Sequence, residues 1–324
     1  MMPDQLAQSL DLLVHIVYYR RKQDLAITLY RNAVIIYNPS AGKLKRHGSV
    51  VERAVEILVR AGHVVTAAPT TGPGAAGLIA REKIDRGTDL ILAAGGDGTI
   101  NEVVQGMARS VVPLGILPVG TANVLANELG IGVNLAKAAA GIAGLVPKRI
   151  AIGRLTASEG SRYFLMMAGV GLDAHIVYNL NLPLKRRLGK VAYWIGGFSL
   201  LGRRLEEFEV RVDGDSHTCS FALVSRVRNY GGDLEIASGA DLLDDQFEVV
   251  LFEGPSSSRY LKYFLGVAFK RLNGMEGVRA MPARRIILPG VKDRRIYIQV
   301  DGEYAGRLPA TVEIEADALT LLVP

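Results

Sequence analysis

Apolar residues fall in two rhythms along the chain, and the change between them near Arg149 predicts two domains. In the first rhythm, short continuous apolar runs, Ala33–Tyr37, His63–Ala67, Asp89–Ala94 and Val112–Pro118, alternate with stretches of helical period. Those stretches are Ser49–Gly62, Gly74–Arg86, Ile100–Met107 and Val124–Leu129, and the third puts Ile100, Val103, Val104 and Met107 on one face. Unbroken apolar strands separated by amphipathic helices predict an open parallel sheet covered on both faces. From about Arg149 the rhythm shortens into Tyr163–Met167, Phe208–Val212, Ser220–Val224, Phe247–Phe252, Ile296–Val300 and Thr311–Glu315. These predict an antiparallel β-sandwich. The expected fold is therefore α/β in two domains, residues 31–149 and 150–324, behind an N-terminal extension of residues 1–30.

Two segments interrupt the second rhythm. Leu184–Arg204 is a helical pattern with basic ends and an uncharged centre of twelve residues, too short to span a bilayer. It reads either as a helix packed over the domain junction or as a lipid entrance, with Lys185, Arg186 and Arg187 meeting headgroups. Ser258–Leu272, with Leu261, Phe264, Leu265, Phe269 and Leu272 on one face, reads as a structural amphipathic helix. In the extension, Leu12–Tyr19 is apolar and Arg20-Arg21-Lys22 follows it, the reverse of a signal peptide's order.

Composition narrows the class. With 324 residues, 49% of them hydrophobic and 22% charged, the chain can bury two cores. A single cysteine, Cys219, excludes an internal disulfide and fits a reducing cytoplasm. The five histidines show no metal-ligand spacing, and a net charge of +6 without a dense basic tract argues for anionic small molecules or acidic lipid surfaces over nucleic acid.

The chemistry is carried by the loops at the carboxyl ends of the predicted parallel strands, the edge where open α/β sheets bind ligands. There are three: Asn38-Pro39-Ser40-Ala41-Gly42, Gly95-Gly96-Asp97-Gly98-Thr99, and Val119-Gly120-Thr121-Ala122-Asn123. In the second, the glycines are expected to take positive φ and let backbone approach a bulky anion, while Thr99 caps the following helix. Asp97 is the odd residue, because a carboxylate beside phosphates needs a divalent cation between them, which points to Mg²⁺. Gly72-Pro73-Gly74-Ala75-Ala76-Gly77 formally matches a dinucleotide fingerprint but follows the second strand, with no acid placed for a ribose.

Taken together, NPSAG at 38–42, GGDGT at 95–99 with Asn101-Glu102, and LPVGTAN at 117–123 resemble the nucleotide-binding motifs of the bacterial soluble diacylglycerol kinase and sphingosine kinase-type lipid kinase family, from about Arg31 to the C-terminus. The resemblance implies that ATP is held by Asn38, Pro39, Ser40, Ala41, Gly42, Thr70, Gly96, Asp97, Gly98, Thr99, Ile100, Asn101, Glu102, Thr121 and Asn123. It implies Glu303, in Asp301-Gly302-Glu303, as the base that takes the proton of a lipid hydroxyl, with Asp301 as a helper and Asp97 beside the phosphates. It also implies a structural Mg²⁺ on Asp245 and the carbonyls of Leu242 and Phe247, although Gln246 stands where a glycine is usual and Ala151 where an aspartate is frequent.

The expectation is an ATP- and Mg²⁺-dependent lipid kinase, cytoplasmic or peripheral at a membrane surface, that converts diacylglycerol to phosphatidic acid. Partners are ATP and a lipid alcohol, not nucleic acid, and an exposed strand edge leaves a homodimer open. The rivals are an NAD kinase-like phosphotransferase, a sphingosine- or ceramide-type lipid kinase, and a non-catalytic lipid- or nucleotide-binding regulator.

Overall fold

The computed structural model describes residues 30–42, 44, 49–171, 205–231, 234–291 and 295–324, without the side chains of residues 257, 258, 261 and 264. The Leu184–Arg204 segment and nearly all of the N-terminal extension lie outside the described residues, as do Lys43, Lys45 and Arg46. In chain order the elements are β1 (Asn32–Tyr37), α1 (Ser49–Arg60), β2 (Val64–Pro69), α2 (Ala75–Asp85), β3 (Leu90–Gly95), α3 (Asp97–Met107), β4 (Pro113–Pro118), α4 (Val124–Glu128) and α5 (Leu135–Gly141). There follow β5 (Val146–Ala157), β6 (Gly160–Phe164), β7 (Met167–Gly171), β8 (Phe208–Val212), β9 (Asp215–Cys219), β10 (Phe221–Ser225), and the short pair β11 (Asn229–Tyr230) and β12 (Leu234–Glu235). The chain ends with β13 (Phe247–Phe252), α6 (Ser257–Ala268), β14 (Val278–Ala283), β15 (Arg285–Leu288), β16 (Tyr297–Val300), β17 (Glu303–Arg307) and β18 (Ala310–Val323).

The first four strands pair in parallel in the order β2-β1-β3-β4. Every residue of β3 and β4 is buried, as continuous apolar runs require when helices cover both faces. Alternation within β1 serves the two faces: Ala33 and Ile35 pack with Ala54 and Leu58 of α1, while Val34 and Ile36 pack with Ala76 and Ala80 of α2 and Val104 of α3. The Gly72–Gly77 fingerprint has a packing explanation. A methyl group on Gly77 would lie 2.6 Å from the Glu102 carbonyl oxygen, so glycine there lets α2 and α3 cross closely.

The second half is a sandwich of two sheets. One face is the six-stranded sheet β14-β13-β10-β7-β16-β17, antiparallel throughout. The other is the continuation of the first domain's sheet, because β18 pairs in parallel with β4 through Thr320 and Leu321, and antiparallel with β5 and β15. Leu155, Phe164, Val210, Ile286 and Val312 of this sheet meet Ala168, Val170, Ala222, Val249 and Ile298 of the other in one apolar core. The last strand thus belongs to both halves. Its register with β5 shifts between Glu315 and Leu319, beside Ala151, which is fully buried.

Three expectations change. Tyr163–Met167 is not one strand: β6 ends at Phe164 in the large sheet and β7 begins at Met167 in the other. The β18 strand runs 14 residues, far beyond Thr311–Glu315, since its second half closes the parallel sheet. On α6 Tyr263 and Val267 face inward; of the predicted apolar face, Leu265 and Phe269 are 47% and 71% exposed, while Leu272, just beyond the helix, is buried. Among the described residues no helix is long and apolar enough to cross a membrane.

Candidate active site

The three loops do converge. A methyl on Gly120 would stand 2.5 Å from the Gly96 Cα, and one on Gly42 2.6 Å from the Val119 carbonyl oxygen, so the second loop touches the third and the third touches the first. Side chains larger than hydrogen would pry them apart. Each loop is also pinned locally. Ser40 donates its N–H to Asn38 Oδ1 at 2.9 Å, and Thr70 donates its N–H to the Tyr37 carbonyl at 2.9 Å, beside the first loop. Asn123 is buried in the left-handed region, with φ 47°, and its Nδ2 donates to the Gly120 carbonyl at 3.0 Å. Its Oδ1 is a buried acceptor with no partner, and Thr121 beside it is exposed.

The glycine-rich turn works by close approach and not by positive φ. Gly95, Gly96 and Gly98 all avoid the left-handed region, and Gly96 is extended as the residue preceding α3. Helix α3 begins at Asp97, three residues earlier than the periodicity of Ile100–Met107 suggests, so Thr99 lies inside the first turn, buried, and caps nothing. Asp97 reaches across to the third loop: its Oδ1 accepts the N–H of Leu125, at the start of α4, at 3.4 Å. Burial raises the Asp97 carboxyl above the usual range, opposed by the amides of Val124, Leu125 and Asn123.

Along Gly96–Glu102, Gly96, Asp97 and Gly98 are partly exposed, whereas Thr99, Ile100 and Asn101 are buried. Ile100 is buried in the core, and Asn101 is 1% exposed with Nδ2 donating to Asp301 Oδ2 at 2.7 Å. Glu102 turns to α2, where its Oε2 accepts the N–H of Ala76 at 3.2 Å. The side chains of Thr99, Ile100, Asn101 and Glu102 thus help hold the turn in place.

The second domain delivers its acids on one hairpin. β16 and β17 join through Asp301 and Gly302, with φ 48° and 83°, a two-residue turn for which Asp-Gly is suited. The hairpin reading and the functional one coexist. Asp301 is buried and accepts four hydrogen bonds, from the N–H groups of Leu165, Met166 and Met167 at 3.0, 3.0 and 2.9 Å and from Asn101. Burial pushes its carboxyl up while those four donors pull it down. With four donors on two oxygens, Asp301 acts as a clamp on the hairpin that carries Glu303. It also explains the broken strand, since Leu165 and Met166 are the residues that step between sheets.

Two residues on, Glu303 faces the cleft. Its Oε1 lies 3.1 Å from where a methyl on Gly98 would sit, so the carboxylate of one domain rests against the Asp97 turn of the other. Its Oε2 accepts from Arg162 Nη2 at 3.3 Å, and Arg162 Nη1 donates to the Tyr304 carbonyl at 3.0 Å. Glu303 remains 41% exposed, open to a reactant. The sequence reading missed Arg162, for which no local signal exists, and Gln105, whose Nε2 and Oε1 bind the backbone of Tyr163. Gln105 lies one turn after Asn101 on the same helix face, which is a usable signal.

The remaining implied site is a metal centre at Leu242, Asp245 and Phe247. Here Arg226 intervenes: its Nη2 donates to the Leu242 carbonyl and its Nη1 to the Asp244 carbonyl, the latter at 3.0 Å. The Asp245 side chain is exposed, and among the described residues no three His, Cys, Asp or Glu groups gather as a metal cluster. A guanidinium on the carbonyl that a divalent ion needs repels that ion, so this donor set does not fit a resident Mg²⁺.

The whole architecture has a close structural counterpart. A crystal structure of a diacylglycerol kinase from Bacillus anthracis str. Sterne superposes with a TM-score of 0.74 over 91% of this chain and 98% of that one, at 22% identity, which shows the shared fold. Fold and cleft together define a two-domain kinase with an NAD kinase-like β-sandwich: residues 32–155 match the diacylglycerol kinase catalytic domain, and residues 167–323 the YegS C-terminal NAD kinase beta sandwich-like domain. The diacylglycerol kinase of Bacillus subtilis (strain 168) is 33% identical over 86% of this chain and 92% of its own length, and that of Staphylococcus haemolyticus (strain JCSC1435) 29% identical over 86% and 84%. This chain belongs to the diacylglycerol kinase family.

Proposed function

We propose that the chain is an ATP- and Mg²⁺-dependent lipid kinase whose acceptor is diacylglycerol and whose product is phosphatidic acid. One observation carries the reading: the Glu303 carboxylate lies against Gly98, in the turn that bears Asp97. Phosphates backed by the close-set loops Asn38–Gly42, Gly96–Gly98 and Gly120–Asn123 would present the terminal phosphoryl group toward that carboxylate. Mg²⁺ arriving with ATP would neutralise charge on the phosphates, and Asp97 would be the carboxylate to hold it. Glu303 accepts the proton of the lipid hydroxyl as its oxygen bonds to the γ-phosphorus and the bond to the bridging oxygen of ADP breaks. Arg162 holds the Glu303 side chain by one oxygen, leaving the other toward Gly98. The names of the relatives from Bacillus and Staphylococcus support diacylglycerol over other lipid alcohols.

The test is transfer of labelled phosphate from ATP in detergent micelles holding diacylglycerol, ceramide or sphingosine, with NAD as a soluble competitor acceptor. Labelled phosphatidic acid formed with Mg²⁺ and lost in Glu303→Gln is the expected result. Labelled NADP without labelled lipid overturns it.

A further inference from the structure

We propose that the Arg226 guanidinium is the built-in cation of the loop from Asp241 to Phe247, standing where the family resemblance implies a structural Mg²⁺. Arg226 follows β10, its main-chain N–H donates to the Met166 carbonyl at 2.8 Å, and its side chain is completely buried. Its two terminal nitrogens donate to the carbonyls of Leu242 and Asp244, while Nε has no partner. Asp241, Asp244 and Asp245 lie on the loop it meets, and a guanidinium is a permanent cation at neutral pH. Two carbonyl oxygens backed by aspartates are the environment a hard divalent cation takes, and here a covalently attached monovalent one already fills it.

The loop so fixed reaches the nucleotide cleft. Arg228 donates its N–H to Glu128 Oε1, on α4, at 3.4 Å, and its Nε to the Ala240 carbonyl at 3.3 Å. Val227, Ala240 and Leu242 share a core with Val124, Leu125 and Ala126 of α4. The amide of Leu125 is the one that holds Asp97. Arg226 is therefore a positioning residue acting through α4, and the chain's need for Mg²⁺ is confined to the nucleotide.

The nucleotide-free protein titrated calorimetrically with MgCl₂ is expected to show no stoichiometric site, and its Tm is expected to be the same in EDTA and in MgCl₂. Arg226→Ala is expected to lower Tm in EDTA by roughly 5 °C or more, because the carbonyls of Leu242 and Asp244 lose their donor. Added Mg²⁺ should restore part of that loss in the variant alone. A wild-type Mg²⁺ site that survives Asp97→Asn but is lost in Asp244→Asn or Asp245→Asn overturns the proposal. So does an Arg226→Ala protein that melts with the wild type. Should that variant fail to fold, the wild-type titration decides alone. Neither readout involves turnover, so both stand apart from the failure or success of the lipid kinase reading.

Discussion

The two halves of the molecule bring acids to one cleft by different means. In the parallel half, Asp97 rests on amides of its own domain, 28 residues along the chain. In the antiparallel half, the hairpin at 301–303 divides the work between neighbours: Asp301 collects donors 134 to 200 residues away, and Glu303 is left with a single arginine and open space. A structural and a reactive carboxylate thus sit two residues apart, and what separates their roles is the number of donors around each. The clamp locks the hairpin to α3, so the exposed acid arrives beside Gly98 without being buried itself.

That contrast can be broken from either side. Glu303→Gln should lower kcat by about 10²–10⁴-fold with Tm nearly unchanged, since the side chain is partly exposed and only one ion pair is lost; steady-state rates and a thermal melt on the same preparation check both. Asp301→Ala should instead act first on stability, costing about 3–5 kcal/mol in denaturant unfolding because four donors are left buried and unpaired. Gly120→Ala forces apart the second and third loops and should raise KM for ATP about tenfold or more, with little effect on KM for the lipid.

Asp97→Asn gives a pH signature. Burial raises the carboxyl's folded value above its unfolded one, so its contribution to stability is full at low pH and declines as pH rises through the folded value. At neutral pH the ionised group is a net cost to the fold. The variant should therefore melt slightly higher at neutral pH and yet bind MgATP more weakly. It should also lose the acid limb that the wild type shows as Asp97 protonates, read from ATP affinity across pH. The smallest effect is expected for Arg162→Gln, a loss of a few fold in kcat that a double variant with Glu303→Gln does not deepen.

The parallel half was largely legible in the sequence because its signals are local: apolar runs give strands, and a strand followed by glycine gives a ligand loop. Even there, the purpose of single residues was set by distant partners, as with Glu102 on α2 and Thr99 within α3. In the antiparallel half the pattern gave a sandwich but not its continuity with the first sheet, since nothing local in Ala310–Val323 announces that its last residues pair with β4. Asp301 and Glu303 could be named from DGE, but their division of labour depends on Leu165, Met166, Met167 and Asn101. Arg226 was not singled out in the sequence, and its meaning comes from the carbonyls it meets.

The most direct test of the shared cleft is a crystal structure with Mg²⁺ and a non-hydrolysable ATP analogue. The account predicts the phosphates against Gly96–Gly98 and Gly120, the metal between them and Asp97, and Glu303 facing the terminal phosphoryl group. An analogue bound at another edge of the sheet, or a Gly98–Glu303 crevice that stays closed to saturating nucleotide, contradicts it.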